Sequence, residues 1–180
     1  MNTDKKSAPD RKDKIHYARC ISQLKKWGAP LDGWKCVDVI DVREDDRDAP
    51  LSECELCGCT NVRYEHVMDH DLYFEEVTVG CICAGIMEGS ILKAQERERL
   101  MRNRSKRRRT FLQHTWKQER WNMWHRTYRK KSLLIWKTDS GYLVRAGNRM
   151  AKTYRGKPIR DFYSAIYAAF DIADPVEEIL

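Results

Sequence analysis

The chain has 180 residues, of which 42% are hydrophobic and 34% are charged, and its formal net charge is +7. No stretch reaches the roughly 18 apolar residues of a membrane span, and the first fourteen residues hold no apolar run, which argues against transmembrane and secreted proteins. We therefore expect a cytoplasmic protein without membrane partners. The odd number of cysteines, seven, and their close spacing favour metal binding over disulfides.

The charge is unevenly distributed along the chain. Residues 28–78 carry four Lys and Arg against fourteen Asp and Glu, whereas residues 86–131 carry fifteen against four. This separation of sign indicates one acidic and one basic surface. It also leaves open an alternative in which the basic segment packs against the acidic one and is masked by it.

The first elements are predicted to be a disordered tail over residues 1–11 and a helix from about Lys12 to Trp27. A strand is predicted over residues 34–42. Its alternation places these side chains on one face: Trp34, Cys36, Ile40 and Val42. Cys20 and Cys36 are interpreted as small apolar core residues.

Five cysteines fall within thirty residues and form the strongest chemical signal in the sequence. A C-x-x-C pair, Cys54 and Cys57, is followed by Gly58, whose tolerance of positive φ suits the turn of a zinc knuckle. A second pair, Cys81 and Cys83, follows about two dozen residues later. Because a structural zinc ion takes four such ligands in a tetrahedron, these four cysteines are predicted to bind one zinc ion.

The segment between the two pairs is predicted to be a β-hairpin with strands at 62–67 and 75–79. A knuckle, a hairpin and further ligands at a helix start form the arrangement called a treble clef, related to the zinc ribbon. A C-x-C pair strains simultaneous ligation, so Cys59 and His66 stay as alternatives for one of its members. Four protein ligands leave no position for water, which predicts a structural site and no catalytic residue.

A long basic helix is predicted over residues 90–126, because no proline or glycine interrupts the chain from Ile91 to His125. Cations in a row can contact successive phosphates, and aromatic rings can stack on unpaired bases. Nucleic-acid binding, with DNA favoured over RNA, is therefore predicted for these residues: Arg102, Arg104, Lys106, Arg107, Arg108, Arg109 and Trp116. A solvated basic helix is the alternative.

The C-terminal region, residues 127–180, is predicted to be a three-stranded antiparallel sheet followed by one helix. Strands are expected at 133–137, 142–146 and 150–154, and Asp161 is expected to cap the helix. Three cations are predicted to share a sheet face that contacts nucleic acid: Arg145, Arg149 and Lys152. A small dimerisation or protein-binding unit is the alternative.

Two family resemblances bear on these predictions. The run Cys54-Glu-Leu-Cys57 … Val62-Arg-Tyr-Glu-His66 … Val79-Gly-Cys-Ile-Cys83-Ala-Gly85, followed by the arginine-rich helix, resembles uncharacterised bacterial and phage proteins with a zinc-ribbon or treble-clef motif. That likeness reaches Tyr167-Ala-Ala-Phe-Asp171 and implies no particular activity. Those proteins have a histidine where this chain has Ile86, which leaves the fourth metal ligand open. Residues 132–173 also resemble the sheet-plus-helix DNA-binding domains of plant ethylene-response factors and phage integrases.

We interpret the chain as an α+β protein with a zinc module within residues 12–89, a basic helix and a C-terminal sheet with one helix. The expected function is zinc-stabilised nucleic-acid binding of bacterial or phage type, in regulation or defence. One alternative is a protein-interaction module whose acidic surface, residues 38–76, binds a basic partner. Another is a metal-dependent nuclease of the HNH type.

Overall fold

The computed structural model describes residues 11–180, which form an α+β protein with four α-helices and antiparallel sheets, as predicted. The chain divides into two compact units. The first comprises residues up to Met101 together with Leu180, and the second comprises Arg102–Ile179. The predicted disordered tail lies outside the described residues, except for Arg11, where the first helix begins. Across residues 11–180, every helix is too short or too polar to cross a lipid bilayer.

The first unit places two helices and the start of a third around a small sheet. Its elements are α1 (Arg11–Trp27), β1 (Lys35–Asp41), β2 (Tyr64–Asp69), β3 (Val77–Val79), α2 (Cys81–Met87) and the beginning of α3 (Ile91–Gln113). The strands pair antiparallel in the order β1-β2-β3. The predicted hairpin is confirmed as β2 and β3, and α2 starts directly after it, which brings the second cysteine pair onto a helix.

Strand β1 buries a different face from the one predicted. A bulge between Cys36 and Asp38 shifts the pairing with β2 by one residue. Because strand side chains alternate between faces, one extra residue moves every later side chain to the opposite face. As a result Val39 is buried, whereas Ile40 is 42% exposed.

Helices α2 and α3 approach each other closely at Gly85. A Cβ atom at this position would lie 2.5 Å from the Cα of Ile91, so the contact admits only glycine. Ser90 caps α3, since its Oγ accepts a hydrogen bond from the backbone N–H of Lys93 at 3.3 Å. These contacts fix the position of the helix that carries Cys83.

The second unit contains a five-stranded antiparallel sheet in place of the predicted three strands. The strands follow one another across the sheet in chain order: β4 (Lys117–Arg120), β5 (Met123–Tyr128), β6 (Lys131–Thr138), β7 (Gly141–Ala146) and β8 (Arg149–Ala151). The elements that follow are β9 (Thr153–Tyr154), β10 (Lys157–Pro158), α4 (Phe162–Ala173) and a short 3-10 helix (Val176–Glu178).

The two additional strands arise because α3 ends at Gln113 and not near residue 126. No glycine or proline marks this end in the sequence. The turn between β5 and β6 is equally unmarked: Arg129 and Lys130 form it with φ values of 48° and 64°. Asn-Gly is the usual pair for such a two-residue turn, so its sequence signal is absent here.

Helix α4 packs on one face of the five-stranded sheet. It begins as predicted, because the Asp161 side chain accepts a hydrogen bond from the backbone N–H of Ser164 at 2.8 Å. Its buried side chains are Ala165, Ile166, Ala168, Ala169, Phe170 and Ala173. They pack against inward-facing side chains of β6 and β7, namely Leu133, Ile135, Val144 and Ala146. Phe111 of α3 completes this core, with its ring 5.3 Å from that of Phe170.

Candidate metal centre and basic surface

The Cys54–Gly58 segment forms the predicted knuckle. The backbone N–H of Cys54 donates to the carbonyl of Cys59, and that of Gly58, at a φ of 72°, donates to the carbonyl of Cys54. Backbone N–H groups also point at the sulfur atoms of Cys54 and Cys57. Gly80 and Cys57 donate to Cys54 Sγ, and Cys59 donates to Cys57 Sγ. Such donors stabilise thiolates, the form in which cysteine binds a metal.

Cys83, in the first turn of α2, lies at the centre of a cluster of ligand atoms. Its Sγ is 3.7 Å from Cys20 Sγ and 3.4 Å from Nε2 of His16. Three ligand atoms lie within 4.8 Å of one another, one from each of His16, Cys57 and Cys83. His16 and Cys20 are four residues apart on α1 and so share one helix face. This His and Cys cluster can bind a metal ion.

The environment of Cys54 favours its thiolate. A hydrogen bond from the Cys83 thiol lowers the pKa of Cys54 to about 5, and the N–H groups of Gly80 and Cys57 act in the same direction. Burial opposes this shift but is outweighed. Cys54 therefore lies beside Cys83 but outside the group of three mutually close ligand atoms.

Cys81, a predicted ligand, lies outside the cluster. Burial and the hydrogen-bonded carboxylate of Glu98 raise the pKa of Cys81 to about 12. The reason is geometric: Cys81 and Cys83 both belong to α2, and helix positions two apart point in roughly opposite directions. The C-x-C pair therefore contributes one sulfur to the cluster.

The two alternative ligands also lie apart from the cluster. Cys59 is exposed and contributes only backbone groups to the knuckle. His66, on β2, is completely buried, and neither of its ring nitrogens makes a hydrogen bond of good geometry. Burial, with a contribution from the charge of Arg97, lowers the pKa of His66 to about 4. The ligand candidates that sequence reasoning missed are His16 and Cys20, whose spacing of four residues on a helix was the available signal.

The arginine-rich part of α3 contains both buried and exposed side chains. Arg104 is 2% exposed; its Nε donates to the Asp174 carbonyl at 2.8 Å, and its Nη2 donates to the Asp171 carboxylate at 2.7 Å. Arg108 is 1% exposed, lies 4.5 Å over the Tyr167 ring and donates to the Tyr154 hydroxyl. The structure thus places both of these predicted phosphate contacts in the interior of the second unit, where they are used in internal contacts.

The other predicted contacts on this segment have mixed positions. Arg107 pairs with the buried carboxylate of Asp174 at 2.6 Å. Trp116 lies beyond the helix end and packs half-buried against Phe111, 6.1 Å between ring centroids. Arg102 and Lys106 are exposed, and Arg109 is half-exposed.

The sheet cations do not all share one face. Arg145 lies opposite Met150 across the sheet, and its guanidinium lies 5.5 Å over the Trp136 ring. Because Trp136 and Arg145 alternate with the buried core positions of β6 and β7, they occupy the face opposite α4. Arg149 pairs with Ala146, whose side chain belongs to the core, so Arg149 falls on the other face. Lys152 is exposed beyond the end of β8.

The two units carry opposite charge. Arg102–Ile179 contains nineteen Lys and Arg against seven Asp and Glu, whereas the rest of the chain contains fifteen against twenty. Comparison with known proteins found no match: no protein family matches the chain, and no curated protein and no solved structure matches it significantly.

Proposed function

We propose that this is a zinc-stabilised nucleic-acid-binding protein, with DNA favoured over RNA. Thiolate and imidazole ligands suit zinc, and a four-ligand protein shell supplies a structural link without an open position for substrate. Cys54, Cys57 and Cys83 would hold the ion together with a group from α1. The zinc would then stabilise the knuckle against α2, and the second unit would contact the nucleic acid.

The observation that supports this function best is the stack of Arg145 on Trp136, on the sheet face opposite α4. A guanidinium held over an aromatic ring keeps its N–H donors available for phosphate, and an aromatic ring offers a face on which an unpaired base can stack. Arg145 is exposed and Trp136 is half-buried, so the pair is anchored yet accessible. Arg104 and Arg108 are buried instead and do not offer such an accessible pair.

The neighbouring positions of the same face extend this contact surface. His125, Leu134, Arg145 and Met150 form one row across four strands, each directly opposite the next. Met123, Trp136 and Leu143 form an adjacent row. The excess of Lys and Arg in the second unit would attract a polyanion to this face over distances up to the screening length.

Fluorescence anisotropy with labelled single-stranded and duplex oligonucleotides, measured in a salt series, tests this function. We expect an affinity that falls steeply with salt. Arg145→Ala should lower the affinity and reduce by about 1 the salt slope, that is, the slope of the logarithm of the binding constant against the logarithm of the salt concentration. Trp136→Ala should cost about 1–3 kcal/mol of binding energy if a base stacks there. Lys35→Ala is the matched control, since Lys35 is an exposed cation of the acidic unit, paired with Asp71.

Two results would overturn the proposal. The first is the absence of binding to any of these oligonucleotides at low salt. The second is equal affinity of the wild-type chain, Arg145→Ala and Trp136→Ala, because binding would then not involve the sheet face.

A second candidate function, a protein-interaction module, is favoured by the loop between β2 and β3. Leu72 and Phe74 are 83% and 81% exposed, although Tyr73 between them is anchored on Trp34 at 5.3 Å. An ordered loop that presents two apolar side chains among acidic residues suits a partner with an apolar and basic surface. If such a partner binds, Leu72→Ser with Phe74→Ser should abolish capture, and an unaltered complex would exclude this loop.

A further inference from the structure

We propose that His16 of α1 is the fourth ligand of the metal ion, which then binds His16, Cys54, Cys57 and Cys83. The inference rests on the proposed zinc site and adds to it the first helix of the chain. It replaces the predicted all-cysteine set by three thiolates and one imidazole, a known structural combination for zinc.

The distance between His16 and Cys83 suits two ligands of one ion. With zinc–sulfur bonds of about 2.3 Å and zinc–nitrogen bonds of about 2.0–2.1 Å, a tetrahedron places nitrogen and sulfur about 3.6 Å apart. The observed separation of His16 Nε2 and Cys83 Sγ is 3.4 Å. His16 also lies within 4.8 Å of Cys57, so it is close to ligands on both the knuckle and α2.

Cys20 is the competing group on α1, and its surroundings give it a different role. Its sulfur is 3.7 Å from that of Cys83, but Cys20 lies outside the group of mutually close ligand atoms, which contains His16. Cys54 also lies outside that group, and its place in the ligand set rests on the knuckle, whose turn holds Cys54 next to Cys57 with its sulfur 3.4 Å from the backbone nitrogen of Gly80. With Cys83 bound to the metal as a thiolate, the Cys20 thiol is the donor of their S–H···S hydrogen bond. Such an outer hydrogen bond orients a ligand without occupying a coordination position.

The ligand set explains how α1 is held in the first unit. His16 is separated from Cys83 by 67 residues, so one ion closes a long loop and joins α1, the knuckle and α2. Closing a long loop removes conformational entropy from the unfolded chain, and the binding energy of the metal becomes folding energy. The metal therefore strengthens the docking of α1, which Cys20 and Leu24 also hold through the core, and a ligand set confined to residues 54–83 would not do so.

X-ray absorption spectroscopy of the wild-type zinc protein tests the ligand set without any substitution. We expect one nitrogen at about 2.0–2.1 Å and three sulfurs at about 2.3 Å. Four sulfurs would overturn the assignment of His16 while leaving the zinc site intact. Absence of bound metal in the wild-type chain would instead overturn the zinc site itself, so the two failures are distinguishable.

Cobalt substitution of three variants supplies the second test. The thiolate-to-cobalt absorbance per bound ion should be unchanged in Cys20→Ser and Cys81→Ser, because neither sulfur is a ligand. His16→Ala should keep that absorbance, change the visible ligand-field bands and weaken cobalt binding by at least about tenfold. A loss of about a quarter or more of the thiolate absorbance in Cys20→Ser, or an unchanged spectrum and affinity in His16→Ala, would contradict the proposal.

Discussion

Arg107 donates Nε and Nη2 to the two carboxylate oxygens of Asp174 at 2.6 and 2.9 Å. Asp174 is 2% exposed and also accepts a hydrogen bond from the Tyr128 hydroxyl at 2.9 Å. Burial opposes the ionisation of Asp174, but hydrogen bonds from Arg107 and Tyr128 lower its pKa overall. Part of the positive charge of α3 therefore stabilises the second unit and is not available to a nucleic acid.

Replacing Asp174 should destabilise the second unit. Asp174→Asn removes the charge that compensates Arg107. Because Arg107 is partly exposed, losing this pair should cost about 1–3 kcal/mol, less than a fully buried pair. Urea unfolding at pH 7 measures the loss. Glu96→Gln is the matched control, because Glu96 forms an exposed ion pair with Arg99 on the same helix and should change nothing measurable. Equal stability of the two variants would contradict the structural role of the Arg107–Asp174 pair.

Arg108 and Lys106 should separate stability from binding. Arg108→Met loses the Tyr154 hydrogen bond and the stack on Tyr167, so the free energy of unfolding should fall by about 2 kcal/mol. Lys106→Met removes an exposed cation, so stability should be unchanged while the salt slope of oligonucleotide binding decreases. The reverse pattern, with Arg108→Met stable and Lys106→Met unstable, would show that the burial of these side chains is wrongly assigned.

Gly85 should not tolerate a side chain. Its Cβ would lie 2.5 Å from the Cα of Ile91, so Gly85→Ala must push α2 and α3 apart, at a cost of about 1–3 kcal/mol. Gly80→Ala is the control, because the nearest atom to its Cβ would be Val62 Cγ2 at 3.4 Å, an ordinary contact. Thermal unfolding of both variants checks this, and a Gly85→Ala protein as stable as Gly80→Ala would contradict the close approach.

His66 should make the first unit sensitive to acid. Its pKa is about 4 in the folded chain and about 6.5 when unfolded, so the unfolded chain binds the proton first as the pH falls. The contribution of neutral His66 to the free energy of unfolding is essentially complete above about pH 6.5. It falls by about 2 kcal/mol between pH 7 and pH 5. The free energy of unfolding of the His66→Leu variant should therefore fall by about 2 kcal/mol less over the same pH interval. An NMR titration showing that His66 protonates near pH 6.5 would contradict this expectation.

Local signals in the sequence were sufficient for the knuckle, the hairpin and the start of α4. Gly58 marks the knuckle turn and Asp161 marks the helix cap, and both act on neighbours within four residues. The additional strands could not be predicted in this way, because Arg129 and Lys130 adopt positive φ without the usual residues.

The composition of the His and Cys cluster and the burial of the arginines depend on distant contacts. His16 and Cys83 are 67 residues apart, and so are Arg104 and Asp171. A run of arginines looks the same in the sequence whether its carboxylate partners are present or not. Spacing alone nevertheless pointed to Cys57 and Cys83, two of the four predicted cysteines, which belong to the cluster that can bind a metal.

Metal content per chain tests the central claim most directly. Native mass spectrometry of the purified protein should show one zinc ion per chain, and chelation should unfold the first unit, as followed by circular dichroism. Cys54→Ser with Cys57→Ser should lose both the metal and the fold of that unit. A chain that is fully folded without metal, with chelator causing no change, would contradict the account.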